Sequence, residues 1–374
     1  MTTAIMTAEK DEAATSDQTA ATAPRAENRQ PHPGRADGGR QGKGQQQRRR
    51  QNEGRSRKLD INGWLILDKP IGMTSTHAVA VVKRIFNARK AGHAGTLDPL
   101  ASGILPIALG EGTKTVPYVM DGRKAYAFTV SWGAETNTDD TEGEVTARSD
   151  RRPTREEVEA LLPRFTGELM QVPPRFSAIK IDGERAYDLA RDGEEVELAA
   201  RPVLIHRLTL VEHTGDTSTL EAECGKGTYV RAIARDLGRA IGCLGHVATL
   251  RRTRVGPFRL DRTISLAALQ ELSHKPPVDN EPGETVDDRT IAPALLSQVL
   301  LPVETALDDI PALAVNRADA VRLARGQTVL LRGRDAPIIE GPLAVTCQGR
   351  LVAVADLEAG EIVARRVFNL SGAH

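Results

Sequence analysis

Apolar and polar residues alternate over residues 125–132. Tyr126, Phe128, Val130 and Trp132 fall on one side and Ala125, Ala127, Thr129 and Ser131 on the other, the period of a half-buried strand. Gly63-Trp64-Leu65-Ile66-Leu67-Asp68 is apolar on both sides and stops at Lys69-Pro70, which predicts a buried strand. Residues 220–224 and 249–254 also predict strands. Elsewhere the spacing becomes helical. Ala78, Val82 and Ile85 share one face behind a cap at Ser75 or Thr76. Thr154-Arg155-Glu156-Glu157 is a capping box that opens a helix carrying Val158, Leu161 and Leu162 and ending near Pro163. Ile233, Leu237 and Ile241 make a third stripe, with Thr228 as its cap and Gly242 as its stop. Residues 184–191 predict a short helix closed by Gly193.

These patterns begin only near Ile61. Residues 1–58 hold 12 Lys/Arg against 7 Asp/Glu, net +5, and no Phe, Trp or Tyr. With so little apolar surface to offset ordering entropy they read as a disordered tail, either solubilising or a basic arm. Residues 59–271 read as the main domain. Residues 272–293, rich in Pro and acids, read as a linker to a C-terminal unit over 294–374 with short apolar strands such as Val329-Leu330-Leu331 and Leu351-Val352-Ala353-Val354.

Charge alters this picture in one respect. The 50 Lys and Arg balance the 50 Asp and Glu, so a nucleic-acid partner would have to be met by clustered cations. The densest cluster in the patterned region is Arg251, Arg252, Arg254, Arg259 and Arg262, which otherwise reads as a solvated face. Cys224, Cys243 and Cys347 lack metal-ligand spacing and fit reduced thiols in a cytosol. No signal-peptide core or bilayer-length apolar run occurs, so a soluble cytoplasmic chain without a membrane partner is expected. Thr113 precedes Lys114, and Leu220 stands where a phosphate loop leading to Gly225-Lys226 needs glycine; nucleotide hydrolysis is not supported.

Candidate chemistry centres on Gly92-His93-Ala94-Gly95-Thr96-Leu97-Asp98-Pro99-Leu100-Ala101-Ser102-Gly103. Pro99 keeps Asp98 out of helical geometry. Asp98 is then either a turn acid bonding its own backbone or a carboxylate held above a buried strand as a nucleophile or base. Spacing does not choose between them. Arg231 is unusual in the first turn of a helix, where the dipole disfavours cations, and calls for an anionic partner.

The Asp98 stretch resembles the catalytic signature of the TruB family, the bacterial tRNA pseudouridine-55 synthases. Leu67-Asp68-Lys69-Pro70-Ile71-Gly72, Pro173-Pro174-Arg175-Phe176-Ser177-Ala178-Ile179-Lys180, Gly225-Lys226-Gly227-Thr228-Tyr229-Val230-Arg231 and Leu250-Arg251-Arg252-Thr253 follow in the family's order. The resemblance implies an α+β pseudouridine synthase fold. Its central, mostly antiparallel mixed sheet is flanked by helices, and a small β-rich PUA-like RNA-binding domain follows. Arg322-Leu323-Ala324-Arg325-Gly326-Gln327 resembles the opening of that domain. Asp98 becomes the catalytic residue, Arg231 its partner, Tyr126 the face that stacks on the target base, and Tyr229 a second face toward it. His93, Leu250, Lys69 and Lys114 join the substrate-binding set, and Asp140 pairs with a basic residue across the cleft. The implied reaction isomerises uridine to pseudouridine in the T-arm stem-loop of tRNA. It needs no cofactor and no metal, and a monomer is expected. A base-excising glycosylase and a non-catalytic RNA-folding protein remain as alternatives.

Removing residues 1–58 should leave the thermal midpoint and turnover unchanged and at most flatten the salt dependence of RNA binding. A large fall in the midpoint would show that the tail packs.

Overall fold

In the computed structural model the described residues are 58–177, 180–181, 184–185, 198–274, 298–331 and 341–370. The tail over 1–57 and most of the expected linker therefore lie outside them.

The chain runs β1 (Gly63–Lys69), α1 (Ser75–Ile85), β2 (Ala91–His93), β3 (Ser102–Leu109), α2 (Val116–Asp121), β4 (Lys124–Trp132), and the hairpin β5 (Ala134–Thr136) and β6 (Val145–Arg148). Next come α3 (Arg155–Leu161), β7 (Gly167–Gln171), the short pair β8 (Lys180–Ile181) and β9 (Glu184–Arg185), β10 (Arg201–His213), β11 (Thr217–Cys224) and α4 (Val230–Ile241). β12 (Gly245–Val255), β13 (Phe258–Arg259), β14 (Ile264–Ser265) and α5 (Leu266–His274) complete the first domain. Its main sheet has the order β14-β1-β3-β12-β4-β11-β10-β7, with β2 on β3 and β13 on β12. Among the described strands of this sheet only β1/β14 and β3/β12 are parallel, so the sheet is mixed and mostly antiparallel, as expected.

The apolar runs of β1 and β3 are explained by burial on both faces. Leu65, Leu67, Leu105, Ile107 and Leu109 pack toward the helical side with Val82, Ile233 and Leu237. Trp64, Ile66, Ile104 and Ala108 pack on the other side with Val119, Val255 and Phe258. Each such leucine, isoleucine, valine or phenylalanine contributes about 1.5–3 kcal/mol relative to exposure.

Three local expectations are corrected. The cap of α1 is Thr74, extended at φ −75° and ψ 149°, whose hydroxyl accepts from His77 N–H. Ser75 is thereby freed for another contact. Thr228 does not cap α4; Tyr229 is the N-cap residue, without a side-chain cap of its own. Glu184 and Arg185 pair with β8 as a strand rather than opening a helix, and residues 186–197 lie outside the described set. The capping box at Thr154 and Glu157 forms as read. α5 continues to His274, two residues past the expected start of the linker.

The C-terminal unit contains β15 (Ala312–Ala314), α6 (Arg317–Ala324), β16 (Val329–Leu330), β17 (Pro342–Cys347), β18 (Arg350–Glu358) and β19 (Glu361–Val367), in the sheet order β15-β17-β18-β19-β16. It joins the main domain through backbone. Trp64 and Leu301 exchange both N–H···O bonds at 2.8 Å. Gly63 permits this crossing: its φ is +144°, and a Cβ there would sit 2.7 Å from Leu301 O. Lys114 and Glu111 form a second tie. Lys114 Nζ donates to Glu111 Oε2 at 2.7 Å and to Val367 O at 2.8 Å, 5.7 Å from the centre of the Phe368 ring, and Glu111 accepts from Asn369 N–H. Lys114 was expected on the substrate surface; the structure places it in this junction.

Lys114→Met should therefore lower denaturant stability by about 1–3 kcal/mol, because Val367 O loses its side-chain donor and Glu111 its ion-pair partner. RNA binding weakened at unchanged stability would instead return Lys114 to the substrate surface.

Candidate active site

Asp98 lies on the loop between β2 and β3, and that loop is held by its backbone. Ser75 Oγ both donates to Leu97 O and accepts from Leu97 N–H, each at 2.9 Å. Arg252, 2% exposed, donates to Gly95 O at 3.1 Å, Thr96 O at 3.0 Å and Ile104 O at 2.8 Å. Pro99 O accepts from Gly72 N–H at 2.8 Å, and Asp98 O accepts from Ala101 N–H. Gly103 lets β3 begin against β12: with φ +100°, it lies where a Cβ would meet Arg252 O at 2.2 Å. A loop whose carbonyls from Gly95 to Pro99 are engaged holds its side chain in place without relying on that side chain's own bonds.

The Asp98 carboxylate meets Arg231. Nε of the guanidinium stands 3.1 Å from Asp98 Oδ2, while Nη1 stands 3.3 Å from Asp140 Oδ2. The same guanidinium donates to Thr138 O and Phe176 O, both at 3.0 Å. The first-turn arginine thus has the anionic partner that its position called for, but the fork is shared between two carboxylates. Asp140 is the closed one: its side chain is 2% exposed, against 34% for Asp98. Its Oδ1 accepts from Thr138 Oγ1 and Glu142 N–H, which folds the 136–143 turn around it. One helical turn on, Arg235 pairs with buried Asp139 at 3.0 Å and donates to Val172 O. Burial raises the Asp139 carboxyl to about 6 even against the pull of Arg235.

Asp98 opens into a cavity of about 300 Å³. Tyr126, Tyr229, Arg231 and Leu250, all expected in the site, share its wall with Lys124, Lys226 and Arg252. Tyr126 stands near the start of β4, and burial pushes its phenol up to about 12. Burial also raises the Tyr229 phenol. Both rings therefore present neutral hydroxyls at physiological pH.

Three expected residues do not line this cavity. His93 ends β2, before the first wall residue, Gly95; burial and the nearby Arg252 charge lower its pKa and keep the ring neutral. Lys114 is at the domain junction. Lys69 is fully buried, with Nζ donating to Pro70 O at 2.9 Å, Met73 O at 2.8 Å and Pro99 O at 3.4 Å. Desolvation brings its pKa down to about 8 although Asp98 pulls the other way. It braces the chain beside Asp98 and has no surface for a substrate.

The basic run is likewise corrected. Arg252 is internal, Arg251 forks onto Asp68 with bonds of 3.0 and 2.8 Å, and Arg254 bonds Gly256 O and Glu223. Arg259 and Arg262 remain exposed. Sequence reasoning missed the inward roles of Ser75 and Arg252, and missed Lys124, whose Nζ donates to Met120 O and Gly122 O on the cavity wall. Period-two alternation offered one signal. Leu250 and Arg252 share a face of β12, and Leu250 is an inward residue.

Lys69→Met should leave Pro70 O and Met73 O without that donor, Pro99 O keeping Gly72 N–H, costing about 2–4 kcal/mol, and slow the chemical step at saturating substrate. Denaturant titration and single-turnover kinetics check this. A higher substrate requirement at unchanged stability and rate would mark Lys69 as a binding residue after all.

Comparison with known proteins places this geometry. The family model for the TruB family pseudouridylate synthase N-terminal domain matches residues 83–230, and that for the tRNA pseudouridylate synthase B C-terminal domain matches residues 231–308. The chain is 64% identical over 322 residues to tRNA pseudouridine synthase B of Bradyrhizobium diazoefficiens, covering 86% of this chain and 90% of that one. It is 53% identical over 321 residues to the protein of the same name in Agrobacterium fabrum, covering 86% and 98%. Among solved structures, a chain of a Cbf5-Nop10-Gar1 complex superposes with a TM-score of 0.61 at 25% identity, covering 82% of this chain and 84% of that one. With both halves of the main domain matched and the Asp98 loop inside the first, the chain belongs to the TruB family of pseudouridylate synthases.

Proposed function

We propose that this chain isomerises uridine 55 in the T-loop of tRNA to pseudouridine, with Asp98 as the catalytic residue. One observation carries the reading. A backbone-braced carboxylate, paired with a buried arginine, faces a cavity of about 300 Å³ walled by two neutral tyrosines and a leucine. The names of the relatives supply the tRNA and the product.

The reaction breaks the N1–C1′ bond, turns the uracil and joins C5 to C1′; the C5 proton leaves and N1 gains one. Nothing is oxidised or reduced. The target nucleotide must leave its stack to enter the cavity. Tyr126 then replaces lost stacking, worth about 1–3 kcal/mol per base, and Leu250 adds an apolar contact. Asp98 acts at the ribose, as nucleophile at C1′ or as base. Arg231 fixes its orientation and offsets the cost of desolvating it. Tyr229, entering as a neutral hydroxyl, can move the C5 proton only as a relay, giving up its own proton as it takes one.

A glycosidase normally uses two carboxylates flanking the bond. Asp140 is the other acid paired with Arg231, and its carboxylate is almost wholly buried. The finer assignments belong to the same proposal: recognition of the T-arm, a monomer at work in the cytoplasm, and a C-terminal sheet that adds RNA affinity as a PUA-like domain. No helix among the described residues is long and apolar enough to cross a membrane.

Asp98→Asn is the deciding variant. The amide is nearly isosteric and the loop is braced by backbone, so fold and tRNA affinity should survive while the chemical step falls to background. Single-turnover release of tritium from C5-labelled tRNA, with enzyme in excess, isolates that step. Substantial release by a verified Asp98→Asn preparation would sink the mechanism. Loss of stability with retained catalysis would reduce Asp98 to a turn acid.

A further inference from the structure

Both polar backbone groups of Tyr229 are held by one side chain from another part of the chain. Gln171, the last residue of β7, is 6% exposed. Its Oε1 accepts from Tyr229 N–H at 2.9 Å, and its Nε2 donates to Tyr229 O at 3.2 Å. The amide thus stands where the peptide group of a neighbouring strand would stand.

Tyr229 has reason to need such a partner. It is the N-cap residue of α4, extended at φ −107° and ψ 116°, with no capping side chain of its own. Its carbonyl takes the first helical bond, from Ile233 N–H at 3.2 Å. Fixing N–H and C=O together fixes the backbone at Tyr229, and with it the direction in which the ring enters the cavity. The contact is reinforced from both sides. Arg235 donates to Val172 O and Arg231 to Phe176 O, so residues 171–176 are tied to the first turns of α4 at three points.

We propose that Gln171 is a positioning residue for the reaction, acting through the backbone of Tyr229. This rests on the functional reading above. The contact needs one donor and one acceptor at amide spacing, which restricts the side chain. Glutamate keeps the shape but, when ionised, presents two acceptors, one of them against Tyr229 O. Protonated glutamate regains a donor. Methionine fills similar volume and offers neither function. A ring misplaced by about 1 Å can cost about 100-fold in rate.

Single-turnover tritium release tests this with Gln171→Glu and Gln171→Met, each beside wild type from pH 8 to 5.5. At pH 8 both variants should be about 10- to 100-fold slower at saturating enzyme, with the dissociation constant for tRNA within threefold. As pH falls, the rate of Gln171→Glu relative to wild type should climb, while the relative rate of Gln171→Met stays flat. A merely structural glutamine would show losses that track stability and binding, with no such divergence. The inference is overturned by wild-type rates, by a flat ratio for Gln171→Glu, or by a loss confined to tRNA affinity. If Gln171→Glu does not fold, Gln171→Met is read alone at saturation, and failure of both to fold makes the residue structural. No release by wild type would refute the functional reading; wild-type release matched by both variants refutes only the role of Gln171.

Discussion

The Arg231 guanidinium is where the site is assembled. It touches Asp98 from the β2–β3 loop, Thr138 and Asp140 from the turn after β5, and Phe176 from the segment after β7. Three stretches far apart in sequence are thus referred to one side chain on α4. A planar fork with five N–H donors can serve four acceptors at once; an ammonium with three cannot. Because its side chain is only 7% exposed, these contacts are what make its burial tolerable. Losing the guanidinium would leave the buried Asp140 carboxylate without its ion-pair partner, typically at a cost of about 3–5 kcal/mol.

Arg252 does the complementary work beneath the loop. It projects from β12, which lies beside β3, and takes three carbonyls from the segment that leads into and out of Asp98. Lys69 and Ser75 complete the bracing from β1 and α1. The Asp98 loop is therefore fastened by cations and a hydroxyl acting on backbone, while its own carboxylate is left partly open. This division of labour suits a group that must be rigid and available together.

Much of the fold was legible because its signals are local. Alternation along β4, the two-sided apolar runs of β1 and β3, the Thr154 box and the Gly242 stop each depend on neighbours in sequence. The pairing of Asp98 with Arg231 was legible in part, through an arginine placed against a helix dipole. The failures share a cause. Arg251 and Arg252 read as an outward charged face and the resemblance put Lys69 and Lys114 against the substrate, yet whether a cation turns inward depends on carbonyls and acids supplied by remote segments. The shift of the α1 cap from Ser75 or Thr76 to Thr74 is similar. Ser75 serves Leu97, a partner twenty-two residues away that no local rule includes.

The same accounting explains how a chain with zero formal net charge suits an RNA substrate. Net charge counts every arginine equally, yet Arg231, Arg235 and Arg252 are buried among acids and carbonyls, and Arg251 and Arg254 are held by Asp68 and Glu223. Several acids are consumed in the same way: Asp139 and Asp140 inside, Asp68 and Glu223 against the basic strand. Such pairs cancel locally and contribute little to the field that a phosphate backbone meets. Among the described residues, Arg259 and Arg262 just beyond β12 stay exposed, and Lys226 on the cavity wall is paired only with the exposed Asp121. The interior arginines give the site its geometry, and under the proposed function exposed cations such as Lys226, Arg259 and Arg262 are the ones free to meet phosphates.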